Sequence, residues 1–136
     1  MIRPIVKDPL FLNRKAEPAG KEDLSTAQDL LDTLRAHHAG CVGMAANMIG
    51  VNKAMIVVDT GNMILLMFNP VITQEKGPYE ASEGCLSLTG VRSTRRYQEI
   101  TVRYQDKDLH THTGVFQGFT AEIIQHEIDH LKGILI

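Results

Sequence analysis

The chain has 136 residues, 43% of them hydrophobic, with a formal net charge of -2 and a pI near 6.3. That length suits one compact domain able to bury a core and a small pocket, and residues 1–136 are read as a single domain. The slightly acidic balance excludes a phosphate-tracking basic surface, so no DNA partner is expected, and no stretch stays apolar long enough to span a membrane. The opening MIRPIVKDPLFLNRK interrupts its apolar residues with Pro4, Lys7 and Asp8, unlike a signal peptide. Cys41 and Cys85 are too few for a disulfide framework, so a cytoplasmic location is expected, with cysteine serving as thiol, thiolate or metal ligand.

From Glu22 to Ala39 the apolar residues Leu24, Ala27, Leu30, Leu31 and Leu34 follow helical spacing and Gly40 supplies a stop, which predicts an N-terminal helix. Ala54 to Asp59 and Met63 to Phe68 read as two strands of a hairpin turning through Thr60, Gly61 and Asn62. Glu99 to Gln105 alternates polar and apolar residues, and Asp106, Lys107 and Asp108 separate it from a further extended segment, Leu109 to Phe116. A final helix is predicted with Thr120 as N-cap, Phe119 and Ile124 as a hydrophobic staple, and Gly133 as its end. With no repeat and no Gly/Ser-rich linker, the chain reads as one α+β unit.

That last helix carries His126-Glu127-Ile128-Asp129-His130, whose two imidazoles stand four residues apart and so share one helical face. Two nitrogens placed this way meet one metal ion, and Glu127, rotated around the helix, is placed to take a proton from water on it. A solvated surface helix is the bland alternative, and the helix signals on both sides disfavour it. A catalytic divalent site takes a third protein ligand. Only Leu131, Lys132, Gly133, Ile134, Leu135 and Ile136 follow His130, so that ligand comes from upstream, among Cys85, Cys41, His110, His112, His37, His38 and the carboxylates. Cys85 is preferred: Gly84 beside it lets the backbone approach closely, and thiolate binds such metals tightly.

With these residues on the page, the sequence resembles the peptide deformylase family, whose three motifs read GφGφAAxQ, EGCφS and HExDH. The second and third stand in full as Glu83-Gly84-Cys85-Leu86-Ser87 and His126-Glu127-Ile128-Asp129-His130. The similarity runs from MIRPIVKDP to HLKGILI, without the C-terminal helix or strand that longer members add. The resemblance implies small antiparallel or mixed sheets packed around a central C-terminal HExxH helix, with one N-terminal helix. It implies a hydrolase that removes the N-formyl group from formyl-methionyl N-termini of nascent peptides and releases formate, an N-terminal processing step of protein biosynthesis, with ribosome association as a further candidate. The implied cofactor is one divalent metal ion on Cys85, His126 and His130, Fe(II) in the cell and replaceable by Zn, Ni or Co. In that scheme metal-activated water attacks the formyl carbonyl, and Glu127 takes the proton and returns it to the departing amine. The metal, the backbone N–H of Leu86 and the glutamine amide of the first motif hold the oxyanion. Val42, Gly43, Met48, Glu83 and Arg92 are the implied substrate-binding residues, and Arg96 is expected to pair with Asp129.

The first motif departs from the family pattern. Cys41-Val42-Gly43-Met44-Ala45-Ala46-Asn47-Met48 puts Cys41 at the first glycine and Met48 at the glutamine. A thioether donates no hydrogen bond, and losing one oxyanion donor costs about 10²–10³ in rate, roughly 2.7–4 kcal/mol. Reduced activity is the expectation, with two ways around it: Asn47 turning its amide into the site, or a different substrate. A rival reading is a deformylase-like metal-binding paralogue with little turnover, acting as a binding or regulatory module for peptide N-termini. A purely structural metal site is disfavoured by Glu127, and an endopeptidase by the lack of a downstream ligand. Cys41 is read as a small buried hydrophobe, and His110 and His112 as surface residues sharing a strand face.

Overall fold

The structure is a computed structural model that describes residues 1–85 and 87–136. Leu86, expected to supply a backbone donor, lies outside the described residues. In chain order the described elements are α1 (Pro9–Leu12), α2 (Leu24–Ala36), β1 (Gly43–Ala45), β2 (Met55–Asp59), β3 (Ile64–Cys85), β4 (Leu88–Gln105), β5 (Thr111–Gln117) and α3 (Gly118–Leu131). The strands form one antiparallel sheet in the order β1-β2-β3-β4-β5, so each strand pairs with its neighbour in sequence. This is an α+β architecture, and its strands belong to a single sheet.

Local chemistry explains the element ends. Asp8 accepts the Leu10 N–H at 3.0 Å and Pro9 opens α1, where its missing N–H costs nothing. The N-terminal helix starts later than predicted, at Leu24, after a 3-10 turn over Lys21–Asp23, and it stops at Ala36. The predicted hairpin pairs Met55 with Phe68 through Asp59 with Ile64. The second hairpin starts its return strand at Thr111, because Leu109 closes the turn at φ 62° with its N–H on the Asp106 carbonyl at 2.9 Å. Two further differences concern α3. It begins at Gly118 with Gln117 as N-cap, three residues before the predicted N-cap Thr120, and Phe119 is exposed, so it forms no staple with Ile124.

The largest departure from the sequence reading is the length of β3 and β4. Their pairing runs from Phe68 opposite Gln105 to Cys85 opposite Leu88, with register shifts at Phe68/Val71, Ile72/Gln74 and Gly84/Cys85. Residues Thr73–Pro78 in this ribbon are exposed, so no period-2 apolar pattern marks them as strand. The core lies at the other end of the sheet, where Met55, Ile56, Val57, Val58, Met67 and Phe68 pack with Leu30 and Leu34 of α2 and Ile124 of α3. Helix α3 is the hub: it packs against β1, β2, β4 and β5 and buries His126, Glu127 and His130 together with its apolar residues. Among the described residues no helix is long and apolar enough to cross a membrane.

One close approach sets how tightly α3 sits on β1. A Cβ at Gly43 would lie 2.6 Å from Ile123 Cγ2 and 2.9 Å from Glu127 Oε2. Gly43→Ala is therefore expected to cost about 1–3 kcal/mol by overpacking, read as a lower urea midpoint at unchanged m-value. An unchanged midpoint would contradict this account of the β1–α3 contact.

Candidate metal centre

One helical turn separates His126 from His130, and their rings meet with Nε2 atoms 3.1 Å apart. Cys85, at the end of β3, brings Sγ to 3.3 Å from His130 Nε2. One ligand atom from each of the three lies within 4.8 Å of the other two, and among the described residues no other such group of three is found. Convergence of two nitrogens and a sulfur on one point suits a divalent transition-metal ion better than a proton, which bridges only two of them. The residues present therefore fit the metal that the sequence implies.

The protonation of the metal-free site follows from its surroundings. Burial works against a proton on His126, yet the Cys85 sulfur and the Glu83 carboxylate hold its pKa up to about 10. Burial, and then the charge of His126, push His130 down to about 3. The two rings thus share one proton between them, and a metal ion must displace it.

Outside the three side chains lies a buried ionic cluster. His126 Nδ1–H donates to Glu83 Oε1 at 2.8 Å, which aims Nε2 at the site. Arg96 donates to the same carboxylate, from Nη2 to Oε1 at 2.7 Å and from Nε to Oε2 at 2.9 Å, and its Nη1 donates to Asp129 Oδ2 at 2.7 Å. The Arg96–Asp129 pair expected from the sequence is present. Burial opposes the Glu83 charge, but the hydrogen bonds from His126 and Arg96 outweigh it and lower its pKa to about 2. Glu83, expected among the substrate-binding residues, does line the cavity, but its carboxylate is committed to these two partners.

A cavity of about 430 Å³ opens beside the cluster, with Cys85, His126 and Glu127 on one wall, Val42, Gly43 and Met48 on another, and Phe119, Glu122 and Ile123 along α3. Glu127 is buried, its Oε1 has no protein partner, and burial pushes its pKa up to about 7. Met48 is buried in the wall, where its sulfur accepts the Ala45 N–H at 3.5 Å. Asn47 does not turn into the cavity, contrary to one of the two ways around the missing glutamine: its Nδ2 donates to the His130 carbonyl at 3.0 Å and ties the 3-10 turn over Ala46–Ile49 to α3. Cys41 is a half-buried wall residue whose thiol donates to the Gly43 carbonyl at 3.0 Å, and burial raises its pKa to about 11. Arg92 stands opposite Glu83 in the β3–β4 pairing and is not part of the cavity wall. His110 and His112 are exposed on the far hairpin, where His112 pairs with Asp106 at 2.7 Å and stacks on Tyr104.

Because His126 holds its proton up to about 10 in the metal-free protein, protons compete with metal throughout the neutral range. Metal loading at neutral pH is expected to release about one proton from this ring, and affinity is expected to rise with pH. Titration with zinc in buffers of different ionisation enthalpy checks this. Affinity that does not change with pH would contradict the assignment.

Comparison with known proteins agrees with this geometry. The chain matches the family model described as polypeptide deformylase over residues 2–136. It is 55% identical to a peptide deformylase of Clostridium beijerinckii over 100% of both chains. The crystal structure of peptide deformylase from Thermotoga maritima matches with a TM-score of 0.89 at 32% identity, covering 99% of this chain and 95% of that one. A Met-Ala-Ser-bound peptide deformylase from Acinetobacter baumannii matches with a TM-score of 0.89 at 29% identity, covering 99% of this chain and 97% of that one. With a family match over nearly its whole length and neighbours of the same fold, the chain belongs to the polypeptide deformylase family.

Proposed function

We propose that the protein removes the formyl group from formyl-methionyl N-termini of nascent peptides, releasing formate, with one divalent ion held by Cys85, His126 and His130. The observation that carries this reading is the convergence of those three ligand atoms beside a buried, partly unpaired Glu127 carboxylate on the wall of a cavity. The Acinetobacter relative is bound to Met-Ala-Ser, the peptide that deformylation of formyl-Met-Ala-Ser would leave.

When bound, the ion supplies Lewis acidity, acidifying water and drawing charge from the formyl oxygen. The remaining work belongs to the chain. Glu127, with a pKa near neutrality, takes the proton from the attacking water and delivers it to the departing amine. Glu83, itself held by Arg96, keeps the His126 ring in place. Val42 and Gly43 form the wall that receives the methionine side chain, with Arg92 farther out toward the peptide. Leu86, from its place in the EGCLS motif, is the backbone donor to the oxyanion. A sulfur–nitrogen donor set is compatible with Fe(II) in the cell and with Zn, Ni or Co as replacements. A substrate on nascent chains places the protein in the cytoplasm, with the ribosome as a natural partner.

Met48 supplies no hydrogen-bond donor where the motif has glutamine, so turnover is reduced. The same observation favours the second reading, a metal-binding paralogue that holds peptide N-termini with little turnover. Formate release from formyl-Met-Ala-Ser, measured anaerobically with Fe(II), separates the two. The native chain is expected to turn over, and Glu127→Gln to lower kcat by about 10² or more while still binding metal. Metal and peptide binding without formate would overturn the hydrolase reading. Met48→Gln is expected to raise kcat by about 10², and an unchanged rate would contradict the missing-donor account.

A further inference from the structure

One buried amide beside the three ligand side chains has no part in the reaction above. Gln125 precedes His126 on α3 and is buried, and its side chain makes three hydrogen bonds. Oε1 accepts the Tyr97 N–H at 2.9 Å, while Nε2 donates to the Tyr97 carbonyl and to the Ala121 carbonyl, each at 2.9 Å. Both backbone groups of Tyr97 therefore meet one side chain, as they would meet a neighbouring strand. The sheet leaves them available at this point. The pairing of β4 with β5 stops at Glu99 opposite Gln117, and on the other side Tyr97 stands opposite Pro78, which has no N–H to give. Gln125 thus takes the place of a strand partner on β4 beyond the end of β5 and ties α3 to that strand.

We propose that Gln125 is a positioning residue for the metal ligand His126, holding the helix at a fixed height on the strand that carries Arg96. This rests on the reading of Cys85, His126 and His130 as a metal centre. Tyr97 follows Arg96 in β4 just as His126 follows Gln125 in α3. Arg96 grips both Glu83 oxygens, and Glu83 accepts from His126 Nδ1 at 2.8 Å. The contacts close a circuit: His126 to Glu83, Glu83 to Arg96, along the strand to Tyr97, across to Gln125, and along the helix back to His126. The Arg96 contacts run through long side chains, whereas Gln125 grips the β4 backbone itself. Its amide plane is also fixed from the helix side, because the Ala121 carbonyl takes the second N–H. Helix and strand are therefore locked one residue away from both ends of the Glu83 bridge, and the His126 ring is kept where its Nε2 lies 3.1 Å from that of His130.

The test is the affinity of the whole chain for Zn(II), measured by competition with a chromophoric chelator where circular dichroism shows each variant folded. Gln125→Met keeps the length of the side chain and supplies no donor. Partners that orient ligating histidines change metal affinity by about 10–100-fold, and Gln125, acting through the backbone, is expected at the low end, a loss of about tenfold. Leu30→Ala, which opens a cavity in the core on the α2 side, is the control: it lowers the urea midpoint and is expected to leave zinc affinity unchanged. A merely structural role would not separate the two variants. Coupling between two sites is reciprocal, so saturating zinc is expected to slow hydrogen exchange of the Tyr97 amide in the native chain by about tenfold. That measurement needs no variant and stands if Gln125→Met does not fold. The inference is overturned if folded Gln125→Met binds zinc as tightly as the native chain, if Leu30→Ala weakens binding as much, or if zinc leaves Tyr97 exchange unchanged. A native chain that binds no zinc overturns the metal-centre reading and this inference together, whereas native binding with any of those three results removes the inference alone.

Discussion

A buried guanidinium is the fixed point on which the site depends. Arg96 is only 3% exposed, and from β4 it reaches Glu83 on β3 and Asp129 on α3. Burying such a charge is unfavourable unless every donor is matched, and removing one partner of a buried pair costs on the order of 3–5 kcal/mol. Here the matching is done by two carboxylates on two different elements, so the ion pair clamps helix to sheet. Glu83 passes that rigidity to His126 through its ring nitrogen.

The second histidine is fixed from the other side. Asn47, in the 3-10 turn after β1, donates to the His130 carbonyl and so holds the last turn of α3. Each histidine of the HExDH segment is thus held by a different motif, His126 by Glu83 and His130 by Asn47. This explains how the first motif keeps an architectural role although Met48 has lost the family's donor. Asn47 and Met48 are adjacent but do different work: one ties the turn to α3, the other faces the cavity with a thioether. Met48, with a thioether that donates no hydrogen bond, lines the cavity while Asn47 keeps the turn tied to α3.

The convergence of Cys85, His126 and His130 was readable from the sequence, because helical spacing brings the two histidines together and EGCLS marks Cys85 by its neighbours. The α2 helix was readable because one apolar face of it enters the core, and β2 because Met55, Ile56, Val57 and Val58 form a continuous apolar run buried on both faces. The long β3–β4 ribbon was not, since Thr73–Pro78 is exposed and its strand character comes from cross-strand pairing instead of burial. The start of α3 was misplaced because Phe119 looks like a staple residue but lines the cavity. Glu83 was read as a substrate-binding residue, and its hydrogen bonds to His126 and Arg96 were not legible from the motif.

The central claim is that Cys85, His126 and His130 bind one ion and leave a position for solvent or substrate. X-ray absorption at the zinc edge of the loaded protein tests it most directly. The account predicts one sulfur near about 2.3 Å and two imidazole nitrogens near about 2.0–2.1 Å, with a further light oxygen scatterer. A first shell without sulfur, or one filled by four protein ligands, would contradict it.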